Sequence, residues 1–196
     1  MRLKVKVPQG YDDVTIKQWH EIRKMQARDM DKVTRMCHTI SILCNLKYDQ
    51  VIALPLTHIG RLFAELDFIG SEVGVTELKT TFKCGPYFYS LVNLDEVTAG
   101  QYTAVKELCQ NYEDSLHNIM ACFVLKTGEK FTDKSFKENS EILYNHLSIQ
   151  MANNISVFFC RIFNESSQAI QAYLIQEAKS QIDSAIHHLQ TTTDGV

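Results

Sequence analysis

One short pattern occurs twice in the chain, and each copy marks a point where an extended segment turns into a helix. Thr15 with Gln18, and Thr98 with Gln101, have the spacing of a capping box. In a capping box the threonine hydroxyl accepts the backbone N–H three residues on, and the side chain there reaches back to the backbone N–H of the threonine. The repeat therefore predicts two helices that begin at these threonines. Apolar residues flank each box at the positions of a hydrophobic staple: Val14 with Trp19, and Val97 with Tyr102.

The residues around these two helix starts have structural explanations. Acidic pairs, Asp12-Asp13 and Asp95-Glu96, precede the boxes, where carboxylates complement the positive end of a helix dipole. We interpret them as structural acids rather than as a general acid and base. Capping does not explain Gly100, because glycine inside a helix costs about 1 kcal/mol relative to alanine. Our hypothesis is that another backbone segment packs closely against this turn.

The apolar patterning predicts a mainly α (α+β) fold in a single domain over residues 1–196. A helical N-terminal half (1–69) precedes a β-hairpin (77–94), and a helical C-terminal half (98–190) follows it. The hairpin arms are rich in β-branched and aromatic residues on both sides of a Gly85-Pro86 turn. A two-stranded hairpin is marginal alone. The alternating residues Leu3, Val5 and Val7 predict an N-terminal strand, which we expect to be the third strand of this small sheet.

Helical spacing of apolar residues predicts the other elements. A turn is expected at Asp49 to Ile52 and an ordered loop at Phe131 to Phe136. A polar patch, Asn164 to Gln168, is expected to break or kink the last helix, and the tail from Thr191 to Val196 to be disordered. Beyond the patch, apolar residues 3 and 4 apart fit a coiled coil, a bundle seam or a partner-facing helix equally well. The predicted helices run from Thr15 to Arg28, from Val33 to Cys44, from Thr57 to Leu66, from Gln101 to Gln110, from Ser115 to Leu125, from Lys137 to Leu147 and from Gln150 onward.

Composition limits the partners and the compartment. The net charge of −3 argues against a chain that coats nucleic acid along its length. Residues 1–36 are locally basic, with nine Lys and Arg against five Asp and Glu. This excess favours a solvated helix face; a docking face for an acidic partner or DNA is the alternative. No signal-peptide or membrane-spanning apolar run occurs in the sequence. The six cysteines have no metal-site spacing, so we expect core cysteines in a reduced, cytosolic protein.

Tests for catalytic chemistry yield no site. The sequence lacks the phosphate-binding glycine loop, the nucleophile elbow and the zinc-protease helix motif. Adjacent residues on a helix point in different directions, so Cys37-His38 is interpreted as a core cysteine beside a surface histidine, and His187-His188 as no metal site. The aromatic run Tyr87 to Tyr89 resembles a base-stacking platform, yet strand alternation makes part of it core. We therefore predict a non-enzyme with no catalytic, cofactor-binding or metal residues.

The order of several motifs resembles a known protein family. These motifs are Val14 to Trp19, Leu54-Pro55-Leu56, a hairpin followed by Val97 to Tyr102, the turn Lys126 to Asp133, and a helix with Phe158-Phe159. In this order they resemble a family of virion and assembly proteins of tailed bacteriophages, particularly the crAss-like phages of gut Bacteroidetes. The resemblance covers about residues 12–163. Two positions depart from the family pattern: Gly128 is not preceded by proline, and Phe131 replaces a tyrosine.

The resemblance implies a non-enzymatic structural role. The expected function is an auxiliary component at the portal vertex of the capsid, bridging the capsid and portal proteins and contacting copies of itself. The expected locations are the virion and, during assembly, the host cytoplasm. A phage tail assembly chaperone, absent from the mature particle, is the alternative. Nucleic acid and membrane are not expected as partners.

Overall fold

The computed structural model describes residues 5–93 and 96–160 of the chain. The chain divides into two compact units, Met1–Ser156 and Val157–Val196. In the second unit residues 157–160 are described, and they are helical. The single domain over residues 1–196 stays a prediction. The polar patch Asn164 to Gln168, the apolar series from Ile175 to Leu189 and the tail lie outside the described residues.

The first unit is mainly helical and carries one small antiparallel sheet, which confirms the predicted fold class. Short 3-10 turns at Tyr11–Asp13, Asp67–Gly70 and Cys109–Asn111 connect some of the elements, and residues 149–156 are helical. The helices are α1 (Ile16–Gln26), α2 (Lys32–Leu43), α3 (Tyr48–Ile52), α4 (Leu56–Ala64), α5 (Ala99–Leu108), α6 (Tyr112–Phe123) and α7 (Asp133–His146). The strands are β1 (Thr81–Cys84), β2 (Tyr87–Leu91) and β3 (Val124–Lys126), in the order β1-β2-β3.

The hairpin prediction is confirmed, but the predicted third strand is wrong. β3 follows α6 directly and pairs with β2, with Leu125 opposite Ser90 and Val124 opposite Leu91. The helix predicted to run to Leu125 therefore ends at Phe123. The apolar residues before and after this boundary are all buried. Their pattern therefore did not show where the helix ends and the strand begins.

The N-terminal segment pairs elsewhere. Residues 5–9 are irregular, and Leu3 lies outside the described part of the chain. Thr15 instead forms an antiparallel bridge with Ser148. The Ile16 N–H donates to the Leu147 carbonyl at 3.0 Å, and the Ile149 N–H donates to the Val14 carbonyl at 2.8 Å. These bonds join the start of α1 to the end of α7 rather than to the hairpin.

Three local predictions between α2 and α7 are also corrected. The expected turn at Asp49 to Ile52 is part of α3, whose start is held by the Gln50 side chain, which accepts the Lys47 N–H at 2.9 Å. Thr57 lies inside α4, and Pro55 is its N-cap residue. α7 begins within the expected loop, because the Thr132 hydroxyl accepts the Ser135 N–H at 3.1 Å and forms a third capping box.

Both predicted capping boxes are confirmed. The Thr15 hydroxyl accepts the Gln18 N–H at 3.2 Å, and Gln18 Oε1 accepts the Thr15 N–H at 3.0 Å. The corresponding distances at Thr98 and Gln101 are 3.2 Å and 2.9 Å. The hypothesis for Gly100 is wrong: a Cβ added there would meet only the Thr98 hydroxyl, at 3.8 Å. No other backbone segment among the described residues packs against this turn.

Each capping-box glutamine also joins its helix to the end of the next one. Gln101 is 2% exposed, and its Nε2 donates to the Cys122 carbonyl in the last turn of α6 at 2.9 Å. Gln18 Nε2 donates to the Ile42 and Leu43 carbonyls in the last turn of α2, at 3.0 and 3.3 Å. The last carbonyls of a helix have no partner within it, so the amide satisfies groups at two helix ends with one side chain.

Candidate interaction surfaces

The β-hairpin presents exposed aromatic residues on the central strand of the sheet. Phe88 is 65% exposed and stands opposite Lys83, which is also exposed. Tyr87 is 45% exposed, and the Lys126 ammonium lies 4.8 Å from its ring centroid. β1 forms one edge of the three-stranded sheet. Strand alternation places Tyr87 on the opposite face from Phe88. We therefore call Lys83 and Phe88, which stand opposite one another, the hairpin patch. A large apolar ring at this exposure beside a cation is typical of a contact surface.

The last residue of the aromatic run is core, in agreement with the prediction that part of the run is buried. Tyr89 is fully buried, and its hydroxyl donates to Asn139 Oδ1 of α7 at 3.3 Å. Burial raises the pKa of this phenol well above its ordinary value. Asn139 in turn donates to Glu129 Oε2 at 3.0 Å. These two hydrogen bonds join β2 to α7 and to the turn after β3.

A second apolar surface lies where α3 meets α4. Ile52 is 51% exposed and Leu56 is 63% exposed, and Ala53 and Pro55 between them are exposed as well. We call these four residues the corner patch. Single exposed apolar residues are ordinary, whereas here four exposed apolar residues occur within five positions, with half-buried Leu54 between them. The family motif Leu54-Pro55-Leu56 falls here, and its sequence did not indicate that Leu56 faces solvent.

A cleft runs between α1 and the first turn of α6. Its main cavity holds about 690 Å³, and an adjoining cavity of about 480 Å³ shares Trp19, Arg23, Tyr112 and Leu116 with it. Asp114 lines the main cavity and Glu72 lines the adjoining one. The main cavity is also lined by His20, which is buried. Aromatic, cationic and anionic groups therefore share this cleft.

The described members of the acidic pairs are not among the residues that line either cavity of the cleft. Asp13 accepts from the Lys6 ammonium at 3.0 Å and from the Gln9 N–H at 3.2 Å. The bond from Lys6 is the main cause of a lowered pKa for Asp13, and the Gln9 N–H adds to it. Asp12 and Glu96 are exposed, and Asp95 lies outside the described residues. The structure thus places Asp13 in a surface ion pair and brings no second described carboxylate of these pairs to it.

Cys37 is core as predicted, whereas His38, predicted to be a surface residue, is half-buried. The His38 ring is stacked on Tyr48 at 4.3 Å. Within residues 5–93 and 96–160, no group of three or more His, Cys, Asp or Glu is placed to hold a metal ion. His187-His188 falls outside that part of the chain. Four cysteines are buried and two are exposed: Cys37, Cys44, Cys84 and Cys122 in the first group, Cys109 and Cys160 in the second.

Sequence reasoning missed one cluster of titratable rings. His20 of α1, His117 of α6 and Tyr144 of α7 lie together, with ring centroids 4.7 to 6.0 Å apart. The three residues are far apart in sequence and none belongs to a motif. Only the packing of α1 against α6 and α7 brings them into contact.

No known protein family, curated protein or solved structure matches this chain. No helix among the described residues is long and apolar enough to cross a membrane. The fold defines the chain as a mainly α protein with a small antiparallel sheet, and its described surface carries two apolar patches and a cleft.

Proposed function

We propose that this protein is a non-enzymatic structural component of a tailed-phage virion that bridges the capsid and portal proteins at the portal vertex. The motif order from Val14 to Phe159 suggests this family, and the two exposed apolar patches support a bridging role. A bridging protein needs at least two contact surfaces, and the hairpin patch and the corner patch lie on different elements. Copies of the same chain are further expected partners in such an assembly.

The observation that carries the proposal is the exposure of Phe88 on a hairpin whose Tyr89 is hydrogen-bonded to α7. A phenylalanine 65% exposed beside Lys83 leaves much apolar area in water. Burying it in a partner gains roughly 25 cal/mol for each Å² of apolar surface removed from water. The adjacent lysine favours a partner whose surface is acidic around an apolar pocket.

A tail assembly chaperone is the second candidate. Such a protein would use the same exposed apolar residues to hold aggregation-prone tail components in the host cytoplasm, and would leave before the particle is complete. Both candidates are binding proteins, so the presence of an apolar surface does not separate them.

Quantitative mass spectrometry of purified phage particles separates the two. A structural component is present at a fixed number of copies per particle. A chaperone is absent from particles and co-purifies with tail proteins from the lysate. Absence from both fractions refutes both candidates.

Surface variants test the patches themselves. We expect Phe88→Ser and Leu56→Ser each to reduce co-purification with capsid and portal proteins while leaving the unfolding midpoint nearly unchanged. Val33→Ser is the matched control, because Val33 is 45% exposed on α2, away from both patches in sequence. If the two patch variants bind as well as the control, the patches are not the contact surfaces.

A further inference from the structure

Two buried imidazole nitrogens lack hydrogen-bond partners. His20 is 6% exposed, and its Nε2 is fully buried without a partner; Nδ1 of His117 is in the same state. The two ring centroids lie 6.0 Å apart, and the Tyr144 ring lies 5.5 Å from His20 and 4.7 Å from His117. A buried polar atom without a partner costs stability, so such atoms call for an explanation.

The surroundings of His117 favour its uncharged form. No carboxylate hydrogen-bonds to either ring among the described contacts. Burial, and then the neighbouring His20, lower the pKa of His117, while Asp114 acts in the opposite direction. On α7 the facing titratable group is Tyr144, whose pKa is raised by burial and then by the charges of Glu21 and Asp114.

Charged side chains line the cleft beside the His20–His117 pair. Trp19, the single tryptophan of the chain, and His20 both line the main cavity. Since a side of this cavity is formed by α1, a change in the packing of α1 alters the exposure of Trp19. The charged residues around the cleft are Arg23 and Lys24 of α1, Asp114 of α6, and Glu72 of the adjoining loop.

We propose that the His20–His117 contact is a pH-sensitive joint: acidification protonates His117, and α1 separates from α6 and α7, opening the cleft around Trp19. Protonation makes both ring nitrogens of His117 N–H donors, and its buried Nδ1 has no acceptor in the packed state. The His20 ring, 6.0 Å away, offers no carboxylate to balance the new charge. Opening hydrates the charged ring and relieves this cost.

The sign of the effect follows from the lowered pKa of His117. A histidine with a pKa lower in the packed state than its unfolded value of about 6.5 takes up a proton on opening. Its contribution to packing is complete above about pH 6.5 and is lost as the pH falls toward the packed-state pKa. In that interval one such proton raises the opening constant by up to about tenfold per pH unit.

Acrylamide quenching of Trp19 fluorescence in the full chain tests the joint. We expect the quenching constant to rise about twofold or more between about pH 7.5 and about pH 5.5. A double variant, His20→Phe with His117→Phe, removes the imidazole contact and the titration of His117, and should flatten the profile. His58→Gln is the control, because His58 is exposed on α4 and its loss should leave the rise intact. A flat wild-type profile, or a rise that persists in the double variant, overturns the proposal.

A second measurement keeps the proposal falsifiable if the double variant fails to pack. An NMR titration of the wild-type chain follows the imidazole of His117 directly. We expect its midpoint below about 6.5 and a concurrent shift of the Trp19 indole signal. A midpoint at or above that value, or titration without any change at Trp19, overturns the proposal.

Discussion

Gln101 has two roles: its oxygen completes the capping box, and its nitrogen donates to the end of α6. Replacement by glutamate removes the second role and keeps the first. The carboxylate of Gln101→Glu keeps an oxygen that can accept the Thr98 N–H, so the capping box survives the change. It loses the Nε2 donor, which donates to the Cys122 carbonyl at 2.9 Å in the wild-type chain. A capping role alone predicts a neutral or favourable change, because glutamate in the first turn complements the helix dipole by about 0.3–1 kcal/mol.

The hydrogen bond from Gln101 to α6 predicts instead that Gln101→Glu destabilises the protein. The lost hydrogen bond contributes about 0.5–1.5 kcal/mol, and the partnerless groups left in a buried site cost about 1–3 kcal/mol. The site is 2% exposed, so water cannot readily replace the amide. After the dipole gain is subtracted, we expect Gln101→Glu to lower the free energy of unfolding by about 2 kcal/mol at neutral pH.

Urea denaturation followed by circular dichroism measures this difference. Gln110→Glu makes the same charge change at an exposed glutamine and should stay within about 0.5 kcal/mol of wild type. Gln18→Glu should fall between the two, because Gln18 is half-buried and water can reach its carboxylate. If Gln101→Glu matches the exposed control, the bond to Cys122 does not hold α5 and α6 together.

The pH dependence of the variant provides an independent check. Burial raises the pKa of a carboxyl in the folded state above its unfolded value of about 4.3. The folded variant therefore binds a proton before the unfolded chain does, and the protonated carboxyl can donate to the Cys122 carbonyl. The deficit relative to wild type should shrink as the pH falls from about 7 toward about 4.3. A deficit that is constant over this range contradicts the assignment of the amide as a donor.

Three further predictions concern other positions. Gly100→Ala should raise the free energy of unfolding by about 0.5–1 kcal/mol in urea denaturation, since the exposed site has room for a Cβ; a loss would restore the close-packing hypothesis. Asp31→Ala should lower the urea midpoint at neutral pH, because the carboxylate caps α2. Hydrogen bonds from Thr34 lower the pKa of Asp31, so the difference should shrink as the pH falls below its unfolded value of about 3.9. Burial raises the pKa of Cys84 and of Cys122 to about 12, which leaves both thiols unreactive at neutral pH. Mass spectrometry after iodoacetamide treatment should therefore find exposed Cys109 labelled first, and Cys84 and Cys122 labelled only on unfolding.

Helix starts could be predicted from the sequence where a capping box determines them. Thr15 and Thr98 each find their partner three residues along the chain, so the pattern can be recognised within four residues. The start of α7 uses serine in place of glutamine at the third position and was missed. Ser135 Oγ accepts the Thr132 N–H at 2.8 Å and forms the same closed turn with a shorter side chain.

The sheet and the surfaces depend on contacts that sequence periodicity does not encode. β3 and the end of α6 form one buried apolar run, and the pairing with β2 decides where the strand begins. Leu56 and Phe88 look like core residues by type, and only the packing of the completed fold leaves them in water. The His20–His117 contact joins residues almost a hundred positions apart, so no spacing rule could have found it.

The contacts of the capping boxes also explain why glutamine occupies the third position of both predicted helix starts. Glutamate would satisfy the box equally well, so local structure does not choose between the two residues. The neighbouring helix end favours glutamine, because an amide completes the box with its oxygen and still has a nitrogen that can donate. That nitrogen donates to the Cys122 carbonyl in Gln101, and to the Ile42 and Leu43 carbonyls in Gln18. Ser135 is too short for this and donates to the nearby Lys130 carbonyl instead, at 3.0 Å. A Thr-x-x-Gln sequence ahead of a helical hairpin therefore indicates both a helix start and a hydrogen bond to the end of the helix that returns beside it.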